Sequence, residues 1–166
     1  MKIAVVCSSK TGNTRMVAHA LADAFDAPLF TPQNAPQNLA DFDTLLLGFW
    51  CDKGRAPEDM ENFVQKIHGK RLGFFATLGG DSESERAKEW FAKTIDELLN
   101  AGKENSLLAS FLCRGRIDSE IYQMMIQMMG GAETDEQKAR WQQSKTHPDR
   151  EDLINAVGVF SKVLKG

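Results

Sequence analysis

Cysteine, tyrosine and proline are scarce in this chain of 166 residues, with three, one and five copies. Cys7, Cys51 and Cys113 lie far apart with no CxxC spacing, and His19, His68 and His147 are equally scattered. That spread excludes a disulfide framework and argues against a zinc centre. Positive charge is not in excess either. Twenty basic against 23 acidic side chains leave a formal charge of -3, whereas a nucleic-acid surface needs a basic patch or stripe. No apolar run reaches the roughly 18 residues of a membrane span, so none is expected. The opening residues show no apolar core followed by a small-residue cleavage site. The expectation is a cytoplasmic protein in a reducing compartment, without nucleic-acid partners.

What the chain does have is an alternation of short apolar runs with helix-like periodicity, the pattern of βαβ units and a parallel sheet. The length suits one domain over 1–166. "IAVVC" (3–7) is a buried strand, and Val17, Ala20, Leu21, Ala24 and Phe25 mark one face of a helix from about Asn13. "APLFTP" is a short strand ending at Pro32. "TLLLGFW" (44–50) is almost wholly apolar, as a strand covered on both faces should be. Pro57 with Glu58, Asp59 and Glu61 opens a helix. "RLGFFATLGG" gives a fourth strand ending in glycines, followed by a helix with Phe91, Ile95 and Leu98 on its stripe up to Gly102. "SLLASFLC" (106–113) is a fifth strand. Leu153, Val157, Phe160 and Leu164 mark the last helix. The fold class is α/β, a doubly wound sheet of five strands with helices on both faces. The segment 117–150 is left over and is expected to add helices before the last one.

The loop after the first strand, "SSKTGNT", concentrates hydroxyls, an amide and a glycine where a helix begins. In open α/β sheets ligands bind at the carboxyl edge of the strands. Free backbone N–H groups at a helix N-terminus suit an anion there. Ser9, Thr11 and Thr14 add hydroxyl donors, Asn13 an amide, and Gly12 lets the backbone close around the ligand. A helix cap needs only one such side chain, so the loop reads as a phosphate cradle. Neither Gly-Lys pair has Walker A spacing, because Gly69-Lys70 precedes Arg71 and Gly102-Lys103 precedes Glu104, and no GxGxxG follows a strand.

"SSKTGNT" after an N-terminal strand resembles the phosphate loop of the flavodoxin family, whose pattern falls on Ser9, Lys10, Thr11, Gly12, Asn13 and Thr14. The resemblance implies a five-stranded parallel sheet in the order 2-1-3-4-5 with FMN at the switch point. It implies further cofactor contacts from Phe49 and Trp50 after the third strand, and from Thr77, Leu78, Gly79 and Gly80 after the fourth. Trp50 would stack on the flavin, Thr77 would donate, and the glycines would let the backbone approach the flavin edge. The commonest flavodoxins carry a Tyr in that last loop, and the single tyrosine here is Tyr122. One flavin face is therefore expected to be more open.

No base or nucleophile accompanies these motifs. Cys51 beside Trp50 is isolated, and His19 lacks an acid or thiol neighbour, so all three histidines read as structural or superficial. The reading is an electron carrier, served by an electron-donating reductase and serving an accepting one. An FMN-dependent oxidoreductase acting on a quinone or porphyrinogen, and a flavin-free binding module, are the alternatives. "IYQMMIQMM" (121–129) is apolar around most of a helix, and either packs on its own domain or docks a partner. "GFWCDKG", "FLCRGRI" and "THPDREDL" are similar to a flavodoxin-like subgroup that accompanies bacterial bilirubin reductase, which implies a tetrapyrrole reductase as acceptor.

Overall fold

The computed structural model describes residues 1–165. The chain runs β1 (Ile3–Cys7), α1 (Asn13–Phe25), β2 (Leu29–Phe30), β3 (Thr44–Trp50), α2 (Glu58–Val64), β4 (Arg71–Leu78), α3 (Glu85–Ala101), β5 (Ser106–Arg114), α4 (Ser119–Met128), α5 (Asp135–Ser144) and α6 (Arg150–Leu164). The strands form one parallel sheet in the order β2-β1-β3-β4-β5. Register is unbroken from β1 through β4, and β5 shifts by one residue against β4 between Leu72 and Gly73. Ile3 pairs with Thr44, Thr44 with Arg71, and Arg71 with Ser106.

Alternation along the strands separates two apolar layers. Leu45, Leu47, Phe49, Phe74 and Ala76 face α2 and α3, where Met60, Phe63, Phe91, Ile95 and Leu98 cover them. Val5, Leu46, Phe75 and Cys113 face the other way, onto Val17, Ala18 and Leu21 of α1 and Ala156, Phe160 and Leu164 of α6. Two glycines are required by this packing. A Cβ at Gly48 would overlap the Phe75 ring, and one at Gly73 would lie 2.6 Å from both Leu46 Cδ2 and Phe160 Cε1.

Several expectations change in detail. β2 spans only Leu29 and Phe30, because Pro28 and Pro32 flank it and neither can donate to a ladder. The buried stripe of α1 is Thr14, Val17, Ala18, Leu21 and Ala22, while Ala24 faces solvent. β5 continues through Arg114 and lies at the sheet edge, which leaves Leu107 half exposed. The segment 117–150 forms α4, α5 and the start of α6.

Replacing Gly48 by Ala forces a methyl against a ring that is fully buried. Overpacking of this kind costs about 1–3 kcal/mol. The expected outcome is a lower urea midpoint at unchanged slope, measured by equilibrium unfolding.

Candidate functional site

The carboxyl ends of β1, β3, β4 and β5 emerge at one edge of the sheet, and their loops meet there. At the end of β1, Gly12 is the residue before α1 and holds φ at 95°, a left-handed conformation suited to glycine. No side chain caps this helix. The Ser9 hydroxyl oxygen accepts from the Gly12 N–H at 3.2 Å and keeps its proton for another partner. Thr11 is exposed. The loop therefore leaves backbone and hydroxyl donors available beside the positive end of a helix dipole, an arrangement that attracts an anion. Ser8 plays no part in this, because its hydroxyl donates to Asp59 Oδ1 at 2.8 Å.

Two bonds fix the loop to its neighbours. Asn13 Nδ2 donates to the Arg116 carbonyl at 2.8 Å, which ties the β1–α1 loop to the chain leaving β5. Gly115 makes room for that amide, since a Cβ there would sit 2.8 Å from Asn13 Nδ2. Thr14 Oγ1 and Thr77 Oγ1 lie 2.8 Å apart, both buried, and bind α1 to the end of β4. One hydroxyl donates to the other, so the pair retains a single proton to offer outward.

These loops enclose a cavity of about 490 Å³. Ser9, Lys10, Thr11, Asn13 and Thr14 form one end of its wall, and Trp50, Thr77, Leu78, Gly79 and Gly80 also line it. Gly12 turns the same loop. Phe49 does not line the cavity. Adjacent strand residues face opposite ways, so Trp50 borders the cavity while Phe49 is fully buried on the α2–α3 side, 6.0 Å from the Phe91 ring and 6.3 Å from that of Trp90. Trp50 is half-buried, and the Lys10 ammonium stands 5.5 Å from its ring centre. Such an exposed cation–π contact is worth about 0.5–1 kcal/mol, small enough for a planar ligand to displace. Gly79 serves a neighbour inside the chain, because a Cβ there would meet Ile117 Cγ1 at 2.7 Å.

The remaining wall comes from a segment to which the sequence assigned no cofactor role. Arg116, Ile117, Ile121, Tyr122, Met125 and Trp141 line the cavity from α4, α5 and the turn before them. Tyr122 leaves the β4 loop bare but returns to the cavity from α4, stacked on Trp141 with ring centres 4.3 Å apart and planes at 8°. Its hydroxyl donates to Glu133, and burial together with that carboxylate pushes the phenol up to about 12. The Met-rich helix is divided by face. Tyr122 and Ile126 are buried, Met125 and Met129 border the cavity, and Met124 and Met128 are 61% and 84% exposed.

The thiols are poor nucleophiles. Burial raises Cys51, which borders the cavity, and pushes Cys7 and Cys113 up to about 12. His147, Asp149 and Asp152 bring candidate ligand atoms within 4.8 Å of one another at the start of α6. Their carboxylates already serve the helix. Asp149 Oδ1 accepts from the Asp152 N–H and Asp152 Oδ2 from the Asp149 N–H.

The family described as Flavodoxin domain matches residues 4–161. Flavodoxin-like domain-containing protein BilS of Clostridioides difficile (strain CD3) is 26% identical over 98% of this chain and 95% of its own length. A flavodoxin from the domain Archaea superposes with a TM-score of 0.54 at 17% identity, over 98% of this chain and 99% of that one. A flavoprotein of Lactobacillus acidophilus NCFM, solved in complex with FMN, superposes with a TM-score of 0.51 at 11% identity, over 67% of this chain and 92% of that one. These structures share the fold.

Asn13→Ala removes the donor to the Arg116 carbonyl, a loss of about 0.5–1.5 kcal/mol. Hydrogen exchange is expected to quicken in the turn at Arg116–Asp118 while the central strands stay protected. Because raised thiol pKa values leave little thiolate at neutral pH, iodoacetamide should label Cys51 slowly and spare Cys7 and Cys113 until the chain is unfolded. Mass spectrometry of the labelled peptides reads this directly.

Proposed function

The chain belongs to the flavodoxin domain family, and from that membership we propose that it binds FMN in the cavity at the carboxyl edge of the sheet and carries electrons to a partner reductase. The observation that carries this reading is the uncapped start of α1, with Ser9 and Thr11 beside it, opening into the same cavity as Trp50. The residues fit the cofactor in kind. A phosphate requires donors, and the loop offers backbone N–H groups and hydroxyls that no side chain has already claimed as a cap. A flat ring requires an apolar platform, and Trp50 offers one.

A bound FMN supplies a ring that accepts and releases electrons one or two at a time. The chain's own part is to hold and enclose it. Ser9, Thr11 and the first N–H groups of α1 anchor the phosphate end, Trp50 faces the ring, and the Thr14–Thr77 pair keeps α1 and β4 at fixed separation. Among the described residues no histidine borders the cavity, and the Cys51 thiol beside it is held protonated. The carrier reading rests on the family membership and on the redox ring that such a platform would hold.

The proposed partners are an electron-donating reductase and an accepting one. The relative named BilS, together with the wording "GFWCDKG" and "THPDREDL", favours a tetrapyrrole reductase of the bilirubin-reducing kind as acceptor. Three free cysteines and no described helix long and apolar enough to cross a membrane accord with the cytoplasm as the place of work.

The test is a titration of flavin-free protein with FMN and with riboflavin, followed by flavin fluorescence. FMN should bind with strong quenching and riboflavin much more weakly. Ser9→Ala with Thr11→Ala should weaken FMN about tenfold to a hundredfold, as loss of hydrogen bonds to a charged group does, and leave riboflavin within about twofold. Trp50→Ala should weaken both flavins about tenfold. Absence of FMN binding by folded wild-type protein would overturn the reading. Turnover of NAD(P)H with a quinone and no added protein would replace the carrier by an enzyme.

A further inference from the structure

We propose that α4 supplies the second wall of the flavin-ring site, with Ile121 and Met125 lying against the ring face opposite Trp50. This rests on the FMN reading above and assigns to this chain's own helix a role that the loop after β4 does not fill. From Gly79 to Glu85 that loop reads "GGDSESE", with no apolar side chain larger than a glycine's hydrogen to set against a ring. The segment from Ile117 to Met129 brings to the same cavity what the loop lacks. Ile117, Ile121, Met125 and Met129 recur every four residues, and all four border the cavity. Within α4, Ile121 and Met125 at that spacing lie on one side of the helix, with Ile117 in the turn before it and Met129 at its C-cap.

The stripe is held in place by contacts with no other evident purpose. Ile117 presses against Gly79, where any Cβ would displace it. Its backbone is clamped at both ends, since the Ile117 N–H donates to Ser144 Oγ at 3.2 Å and the Ile117 carbonyl accepts from Trp141 Nε1 at 3.2 Å. Ser144 is fully buried and donates in turn to the Trp141 carbonyl at 2.7 Å. The Tyr122–Trp141 stack, itself part of the cavity wall, joins α4 to α5, and the Asn13 bond to Arg116 fixes the segment to the β1–α1 loop. These contacts present apolar side chains to the cavity and leave them partly bare. Ile121 is 36% exposed and Met125 46%. A planar apolar ligand would cover that surface, and burial of apolar area against a ring is favourable. Methionine suits such a wall, because its sulfur is polarisable and its chain adapts to a flat face.

Two measurements on the full chain test this. Ile121→Ser combined with Met125→Ser should weaken FMN and riboflavin about tenfold and by a like factor, because the lost contact is to the ring both share. Met124→Ser combined with Met128→Ser, on the outer face of the same helix, should leave both within about twofold. On wild-type protein, peroxide oxidation in the dark with and without FMN is followed at each methionine by peptide mass spectrometry. FMN should slow the oxidation of Met125 several-fold and leave Met124 and Met128 unchanged. If wild type binds FMN but the inner pair of substitutions changes nothing, or the outer pair costs as much, or FMN shields none of these methionines selectively, the α4 wall is wrong and the FMN reading stands. If folded wild type binds neither flavin, both fall together.

Discussion

Parallel strands buried on both faces must be joined by crossovers, so every strand leaves the sheet at the same edge. In this chain β1, β3 and β4 pair without a break and β5 shifts by one residue after Leu72, which sets Cys7 opposite Gly48, Trp50 opposite Thr77, and Thr77 opposite Cys113. The loops after β1, β3, β4 and β5 consequently begin side by side. The cavity, the Thr14–Thr77 pair and the bond from Asn13 to Arg116 all follow from that alignment. A slip of one residue in any central pairing would turn Leu46 and Phe75 towards the wrong helices and separate the donors from Trp50.

The least ordinary part of the molecule is the pair α4 and α5. α5 buries only Ser144, and α4 only Tyr122 and Ile126. Their cohesion comes from one aromatic stack, the capping box at Thr134 and a few bonds to the turn at Arg116 and Ile117. An element with so little buried apolar surface opens at lower free energy than the sheet beneath it. It stands beside the cavity at the carboxyl edge of the sheet.

Much of the fold was legible because local chemistry and tertiary demand agree. "TLLLGFW" could hardly be other than a strand covered on both faces, and β3 spans those residues. The last helix keeps the stripe that Leu153, Val157, Phe160 and Leu164 announced. Ala24, counted on the α1 stripe, faces water because alanine is too small to decide which side of a helix is buried. Phe49, expected beside the cofactor, turns its side chain to the core for a related reason. At the end of a strand an aromatic residue suits a ligand and a core equally, and only the pleat and the packing of Trp90 and Phe91 choose between them.

The sequence by itself determined the alternation of strands and helices, the loop rich in hydroxyls and glycine at Ser9–Thr14 and the aromatic residue at the end of β3, because each depends on residues adjacent in the chain. The tertiary structure alone decided which wall faces that loop. Tyr122, Met125 and Trp141 lie more than a hundred residues from Ser9, and nothing local marks which side of α4 turns inward. That choice is made by the glycine at 79, which admits Ile117, and by a buried serine and a tryptophan that clamp its backbone. Contacts between distant residues carry no periodicity, and the packed molecule is where they first take effect.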